Sequence, residues 1–225
     1  CYRLYLREQL AEMAEVLGRA DQAKACRAEL ARLRPLVHAA FYDTGRKLYV
    51  LDEQSYLLMP LMTSVVPEEL RATIFNKLEA GIRVNRNGHL DTGMLGTYFL
   101  LNYLSETGHD DLIFTIVNQT TYPSWGYMVS KDATTVWELW NGDTADPAMN
   151  SGNHVMLVGD LIIWYYEYLA GIRPDPDQPG FKHIVMKPHL VGDLTGVKAT
   201  HRSPHGLIAS DWAREGDTFR WRITI

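Results

Sequence analysis

Residues 154–180 read "HVMLVGDLIIWYYEYLAGIRPDPDQPG", and the fold turns on them. An apolar helical run reaches Gly171, a natural helix stop. Three prolines in the next stretch, Pro174, Pro176 and Pro179, then rule out continuation. Beyond them "FKHIVMKP", "GVKATHRSP", "GLIASDWAREG" and "DTFRWRITI" are short, alternating and bounded by Gly or Pro, the pattern of antiparallel strands.

Upstream, the pattern is helical. Leu6, Leu10, Met13 and Leu17 have the spacing of a helix with one buried stripe, Gly18 can end it and Asp21 can cap the next. That second helix carries Cys26, Leu30, Leu33, Val37 and Phe41, and Pro35 should kink or divide it. A turn and short extended run follow in "YDTGRKLYV". Further helices are expected over "EQSYLLMPLMTS", from Pro67 to about Gly81, over "MLGTYFLLNYLSETG" and over "DDLIFTIVNQTT". This series of helical hairpins is compatible with an open bundle, a superhelix or a closed α/α toroid.

Composition narrows the function. The 225 residues are 46% hydrophobic and 22% charged, with a net charge of −5. No basic stripe is present, so nucleic acid is not an expected partner. The apolar stretch Leu161–Trp164 is far below the roughly 20 residues that span a bilayer, so no membrane partner is expected. Cys1 and Cys26 form neither a disulfide framework nor a thiolate zinc site. A helical pattern already running at residue 4 and an alternating C-terminal segment read as a piece of a longer chain, whose compartment stays open.

The chemistry-bearing residues gather in residues 122–153, "YPSWGYMVSKDATTVWELWNGDTADPAMNSGN", rich in aromatics and turn formers. Glu138 stands between Trp137 and Trp140, with Trp125 upstream and His154 just downstream. Indole faces with carboxylates and imidazoles suit sugars, which have apolar C–H faces and a hydroxyl rim. Each residue also has a plain role. A loop Glu can be merely solvated, and Trp137 and Trp140 could fill core from one face of a short helix. Asp143 after Asn141-Gly142 suits turn chemistry, and Asn153 could cap the next helix. Asp160 should be paired or face a groove, and Asp110 and Asp111 read as ordinary first-turn helix residues.

Taken together, "GHLDTGMLGTYFLL", "YPSWGYM", "ATTVWELW" and "NHVMLVGDLIIWYYEYLAGI" resemble the latter half of bacterial α-L-rhamnosidases of glycoside hydrolase family 78. "EQSYLLMPLMTSVVPEE" is similar to an earlier helix of that catalytic domain, and residues 181–212 to the opening of the family's C-terminal β-sandwich. The resemblance implies a mainly α fold: residues 1–173 as the latter half of an (α/α)6 toroid, and 174–225 as the start of an antiparallel β-sandwich. It implies an inverting hydrolase acting on terminal α-L-rhamnosyl groups of an oligosaccharide, polysaccharide or glycoside. Glu138 corresponds to the general base and His154 to a sugar-binding residue. Trp125, Trp137 and Trp140 would wall or support the pocket, and His89 and Asp91 lie in a matching loop.

No organic cofactor is implied. The family leaves room for calcium, but no ligand cluster in the sequence calls for it. The general-acid segment of the family, rich in Arg, Glu, Gly and Trp, has no counterpart in the chain. The missing N-terminal half of the same protein is therefore the expected partner, and apolar faces it would cover should be exposed. A non-catalytic carbohydrate-binding remnant, another toroid glycosidase or a polysaccharide lyase are the alternative readings.

Overall fold

The computed structural model describes residues 1–225, which pack as two compact units, Cys1–Thr92 and Gly93–Ile225. The chain is mainly α, with antiparallel sheet at its C-terminal end.

In the first unit α1 (Tyr2–Val16) and α2 (Ala20–Phe41) form a hairpin turned at Gly18, whose φ of 68° suits a residue without Cβ. The apolar stripe behaves differently from expectation. Leu4, Ala11 and Ala14 are buried, as are Ala23, Cys26 and Leu30 of α2, while Leu10 and Met13 are 48% and 60% exposed and Leu6 and Leu17 also face outward. Small residues let the two helices approach closely, and ion pairs Arg7–Glu29 (2.6 Å) and Arg27–Glu15 (2.7 Å) flank the seam. The Leu/Met stripe is thus an open apolar face.

Pro35 does not divide α2, which runs through it. A proline removes one backbone hydrogen bond, and the rest of a 22-residue helix sustains the run. Arg34 links α2 to its neighbours, its Nε donating to Thr63 O at 2.9 Å and its Nη2 meeting Glu8 at 3.0 Å. The short strands β1 (Tyr42–Asp43) and β2 (Leu48–Tyr49) close a hairpin that precedes α3 (Gln54–Met62) and α4 (Glu68–Ala80). A π-helical turn, Gly81–Asn85, extends α4. Leu57, Leu58, Leu61, Ile74, Leu78 and Ile82 form the core of this part.

In the second unit α5 (Met94–Glu106) and α6 (Asp110–Val117) meet at Gly108, φ 79°. His109 N–H donates to Leu104 O and Gly108 N–H to Ser105 O, satisfying the last carbonyls of α5. The short α7 (Trp125–Ser130) lies in the stretch expected to be irregular. Ser124 starts it by accepting from Tyr127 N–H at 2.9 Å, a capping signal legible in "PSWGY". The helix expected from Asn153-His154 begins at Met156 as α8 (Met156–Ile163), so Asn153 is not its cap. A π-helical turn, Trp164–Leu169, continues α8.

Strands β3 (Ile172–Pro174) and β4 (Ile184–Met186) pair, followed by the antiparallel sheet β5 (Gly196–Ser203), β6 (Gly206–Glu215) and β7 (Thr218–Thr224). This sheet is tied to the helix end. Trp212 Nε1 donates to Leu169 O at 2.7 Å and Ser210 Oγ to Ala170 O at 2.6 Å, all buried. They satisfy carbonyls that a helix C-terminus leaves without partners. The strands fall in the same compact unit as α5–α8.

Asp110 is more than a first-turn residue. It is buried, accepts from Trp164 Nε1 at 2.7 Å, and meets His189 Nδ1 at 2.6 Å. One carboxylate thereby joins the start of α6, the turn after α8 and the loop before β5.

Candidate active site

Residues 135–154 form a closed loop whose two limbs pair without becoming a regular ladder. Glu138 N–H donates to Ser151 O at 2.9 Å and His154 N–H to Val136 O at 2.7 Å. Leu139 N–H is taken by Asn150 Oδ1 at 3.1 Å, and Thr135 Oγ1 donates to Gly152 O. The Asn141-Gly142 turn closes the loop, with Thr144 and Ala145 N–H donating to Asn141 O. Gly142 is required by contact, since a Cβ there would lie 2.6 Å from Cγ of Trp137. Trp137 is therefore seated on the turn and not on a helix face.

This pairing brings Glu138 beside His154. Ser151 N–H donates to Glu138 Oε2 at 2.9 Å, and the same oxygen lies 4.0 Å from His154 Nδ1. The Glu138 side chain is 40% exposed and that of His154 24%, so the pair is held yet reachable. The far nitrogen of the imidazole, Nε2, lies 3.0 Å from Met94 Sδ at the start of α5. The thioether sulfur can only accept there, and the other ring nitrogen, Nδ1, is the one on the Glu138 side.

The indoles divide by role. Trp125 is buried, its Nε1 donating to Leu157 O at 3.0 Å, and it meets Trp140 edge-on with ring centroids 5.2 Å apart. It supports the loop from beneath. Trp137 and Trp140 are half-buried within the loop itself. Asp143 is used structurally: Tyr127 Oη donates to it at 2.9 Å and Lys131 Nζ lies 3.9 Å away. Asp146 likewise folds its own turn, accepting from Ala148 N–H.

His89 and Asp91 belong to the first unit, where both are tied to Gln54. Gln54 Nε2 donates to His89 O at 2.8 Å, Asp91 N–H to Gln54 Oε1 at 3.1 Å, and Asp91 Oδ1 accepts Gln54 N–H at 3.1 Å. Asp91 thus caps α3 from a distant loop. Burial pushes its carboxyl up, against the opposing pull of Gln54 N–H and the Arg86 guanidinium at 3.2 Å. Buried Gln54, which organises this loop, carried no signal in the sequence beyond its place at a helix start.

Next to His154, Met94 also lines an apolar groove of about 310 Å³ with Leu95, Tyr98, Val155, Met156 and Asp160. Burial holds the Asp160 carboxyl up at about 6, against 3.8 ordinarily. Between those values the folded chain keeps a proton that the unfolded chain has released. The associated stability is complete below pH 3.8 and is lost as pH rises through about 6. Asp160→Asn is expected to raise the urea midpoint at neutral pH and to flatten its decline across that window. An unchanged decline would show that Asp160 is not the titrating group.

No helix is long and apolar enough to cross a membrane, and no group of three or more His, Cys, Asp or Glu side chains is arranged to hold a metal ion.

Comparison with known proteins places this loop in a family context. The profile of the bacterial alpha-L-rhamnosidase 6 hairpin glycosidase domain matches residues 1–169, and that of the bacterial alpha-L-rhamnosidase C-terminal domain matches residues 171–225. An alpha-L-rhamnosidase of Streptomyces avermitilis is 35% identical over 193 residues, covering 84% of this chain and 18% of the relative. The solved alpha-L-rhamnosidase of Dictyoglumus thermophilum superposes with TM-score 0.89 at 32% identity, over 100% of this chain and 25% of that one. The Streptomyces avermitilis enzyme complexed with L-rhamnose superposes with TM-score 0.86 at 32% identity, over 99% and 22%. The chain spans a quarter or less of the length of these proteins. Two profiles that together take in nearly every residue, in the order helices then strands, make this chain a member of the bacterial α-L-rhamnosidase family.

Proposed function

We propose that this chain carries the base side of an inverting α-L-rhamnosidase site. Glu138 is the general base that takes a proton from the attacking water, and His154 hydrogen-bonds the rhamnosyl group. Trp137 and Trp140 line the pocket, and Trp125 supports them. His89 and Asp91 are assigned as substrate-binding residues on the motif resemblance alone. The domain division proposed is toroid through residue 173 and sandwich from 174.

The observation that supports this reading best is the placement of Glu138. Its carboxylate is held by Ser151 N–H, faces His154 Nδ1 at 4.0 Å and remains accessible. A base that must ionise and meet water needs a donor to its charged form and an open side. An inverting site needs a second carboxyl about 6.5–9.5 Å from the base to protonate the leaving oxygen. That acid is assigned to a part of the relatives' length that this chain does not span. Two carboxyl groups and a water suffice for the hydrolysis, so no organic cofactor enters, and the substrate is a rhamnose-containing glycoside or polysaccharide.

The 225-residue chain by itself is expected to release no p-nitrophenol from an aryl α-L-rhamnoside. Turnover by this chain that disappears in Glu138→Gln would place both carboxyl groups within it and overturn the division of the site.

A further inference from the structure

The face of the β5–β6–β7 sheet opposite Ile208, Ser210 and Trp212 is exposed and carries charge of one dominant sign. The register sets Gly196, Ala213 and Arg220 in one row across the strands, and Lys198, Asp211 and Arg222 in the next. Residues two apart share a face, so Arg202 joins these cations, against Asp211 and Glu215. Four cations and two acids on one face stand out in a chain of net charge −5. Ala213 supplies almost no side chain, which leaves a floor between taller neighbours. The result is a hollow of about 340 Å³ lined by Asp211, Ala213, Arg220, Trp221 and Arg222.

We propose that this face binds an acidic saccharide, with Arg220 and Arg222 taking uronate carboxylates. A guanidinium fork matches a carboxylate in two parallel hydrogen bonds. Two residues along a strand separate the two arginines by about 7 Å, a sparse spacing of positive charge. Asp211, whose Oδ2 lies 3.8 Å from Arg222 Nη1, sits within the hollow. It accepts sugar hydroxyls but repels a densely charged chain, and duplex DNA carries a charge about every 1.7 Å of its axis. Thr200, Thr218 and Thr224 add hydroxyls on the same face, whereas the Trp221 indole lies on the opposite one, its Nε1 donating to Ser210 Oγ at 2.9 Å. The chemistry selects a chain of hydroxylated rings with intermittent carboxylates. This surface is separate from Glu138, and its occupancy requires no turnover.

Calorimetric titration of the 225-residue chain with trigalacturonate tests this. Saturable binding is expected, weakened about tenfold in the double variant Arg220→Gln/Arg222→Gln and similarly weakened when salt rises from about 0.05 to about 0.5 M. Arg222→Lys, which keeps the charge and loses the fork, should weaken it by a smaller factor, and it serves as the reading if the double variant loses its fold. Absence of saturable binding, binding indifferent to these substitutions, or a DNA duplex or anionic vesicle that competes as well as the saccharide would overturn the proposal.

Discussion

Glu138→Gln, made in a protein of the relatives' full length, is expected to lower kcat on an aryl α-L-rhamnoside by about 10²–10⁴-fold, the usual worth of general acid–base catalysis. Gln preserves the size of the side chain and an oxygen for Ser151 N–H, so the loop pairing from Val136 to His154 should persist. What disappears is the capacity to accept a proton from water. KM should change little, since the amide keeps the size and polarity of the side chain. A kcat within about threefold of the parent would remove Glu138 from the chemistry, since even the low end of general-base catalysis is about a hundredfold.

The second large effect is on stability. Asp110→Ala is expected to cost about 3–5 kcal/mol, because it leaves the buried donor Trp164 Nε1 and the half-buried donor His189 Nδ1 without their acceptor. Asp110→Asn should cost less, since the amide oxygen keeps one bond and the isosteric shape leaves no cavity. Urea midpoints followed by tryptophan fluorescence, read with the slope of the transition, give both values. A loss below about 1 kcal/mol for the alanine variant would mean that neighbouring groups or water replace the carboxylate.

How much of this was written in the sequence depends on the range of the interaction concerned. Helix ends set by local chemistry were legible, such as Gly18 and Gly108 at positive φ and the acidic first turn of α6. Of the four alternating segments at the C-terminus, the first contains β4 and the other three became β5, β6 and β7. The α1 stripe was read by period alone, and the period was real. Which face is covered depends on what packs against it, and here α2 takes the alanine side. Likewise Pro35 marks a local cost, while the length of α2 decides whether the helix survives it.

Within the candidate site, the grouping of Glu138, Trp137 and Trp140 was visible because they are neighbours in the chain. The pairing of residues 135–139 with 150–154, which brings His154 to Glu138, was not, since no alternation marks a loop closed by backbone bonds. The contacts of Met94 and Asp110 were hidden for a related reason. Their partners, His154 and the Trp164–His189 pair, lie far along the chain. A methionine at a helix start or an aspartate in a first turn has an ordinary local explanation that conceals the distant one.

The most direct test of the base assignment is rescue of the Glu138→Gln variant of the longer protein with azide, an anionic nucleophile that needs no deprotonation. If Glu138 activates water on the face opposite the leaving group, azide should restore turnover of an aryl α-L-rhamnoside and give the β-L-rhamnosyl azide, identified by NMR. Failure of azide to raise the rate, or formation of the α-anomer, would contradict the account.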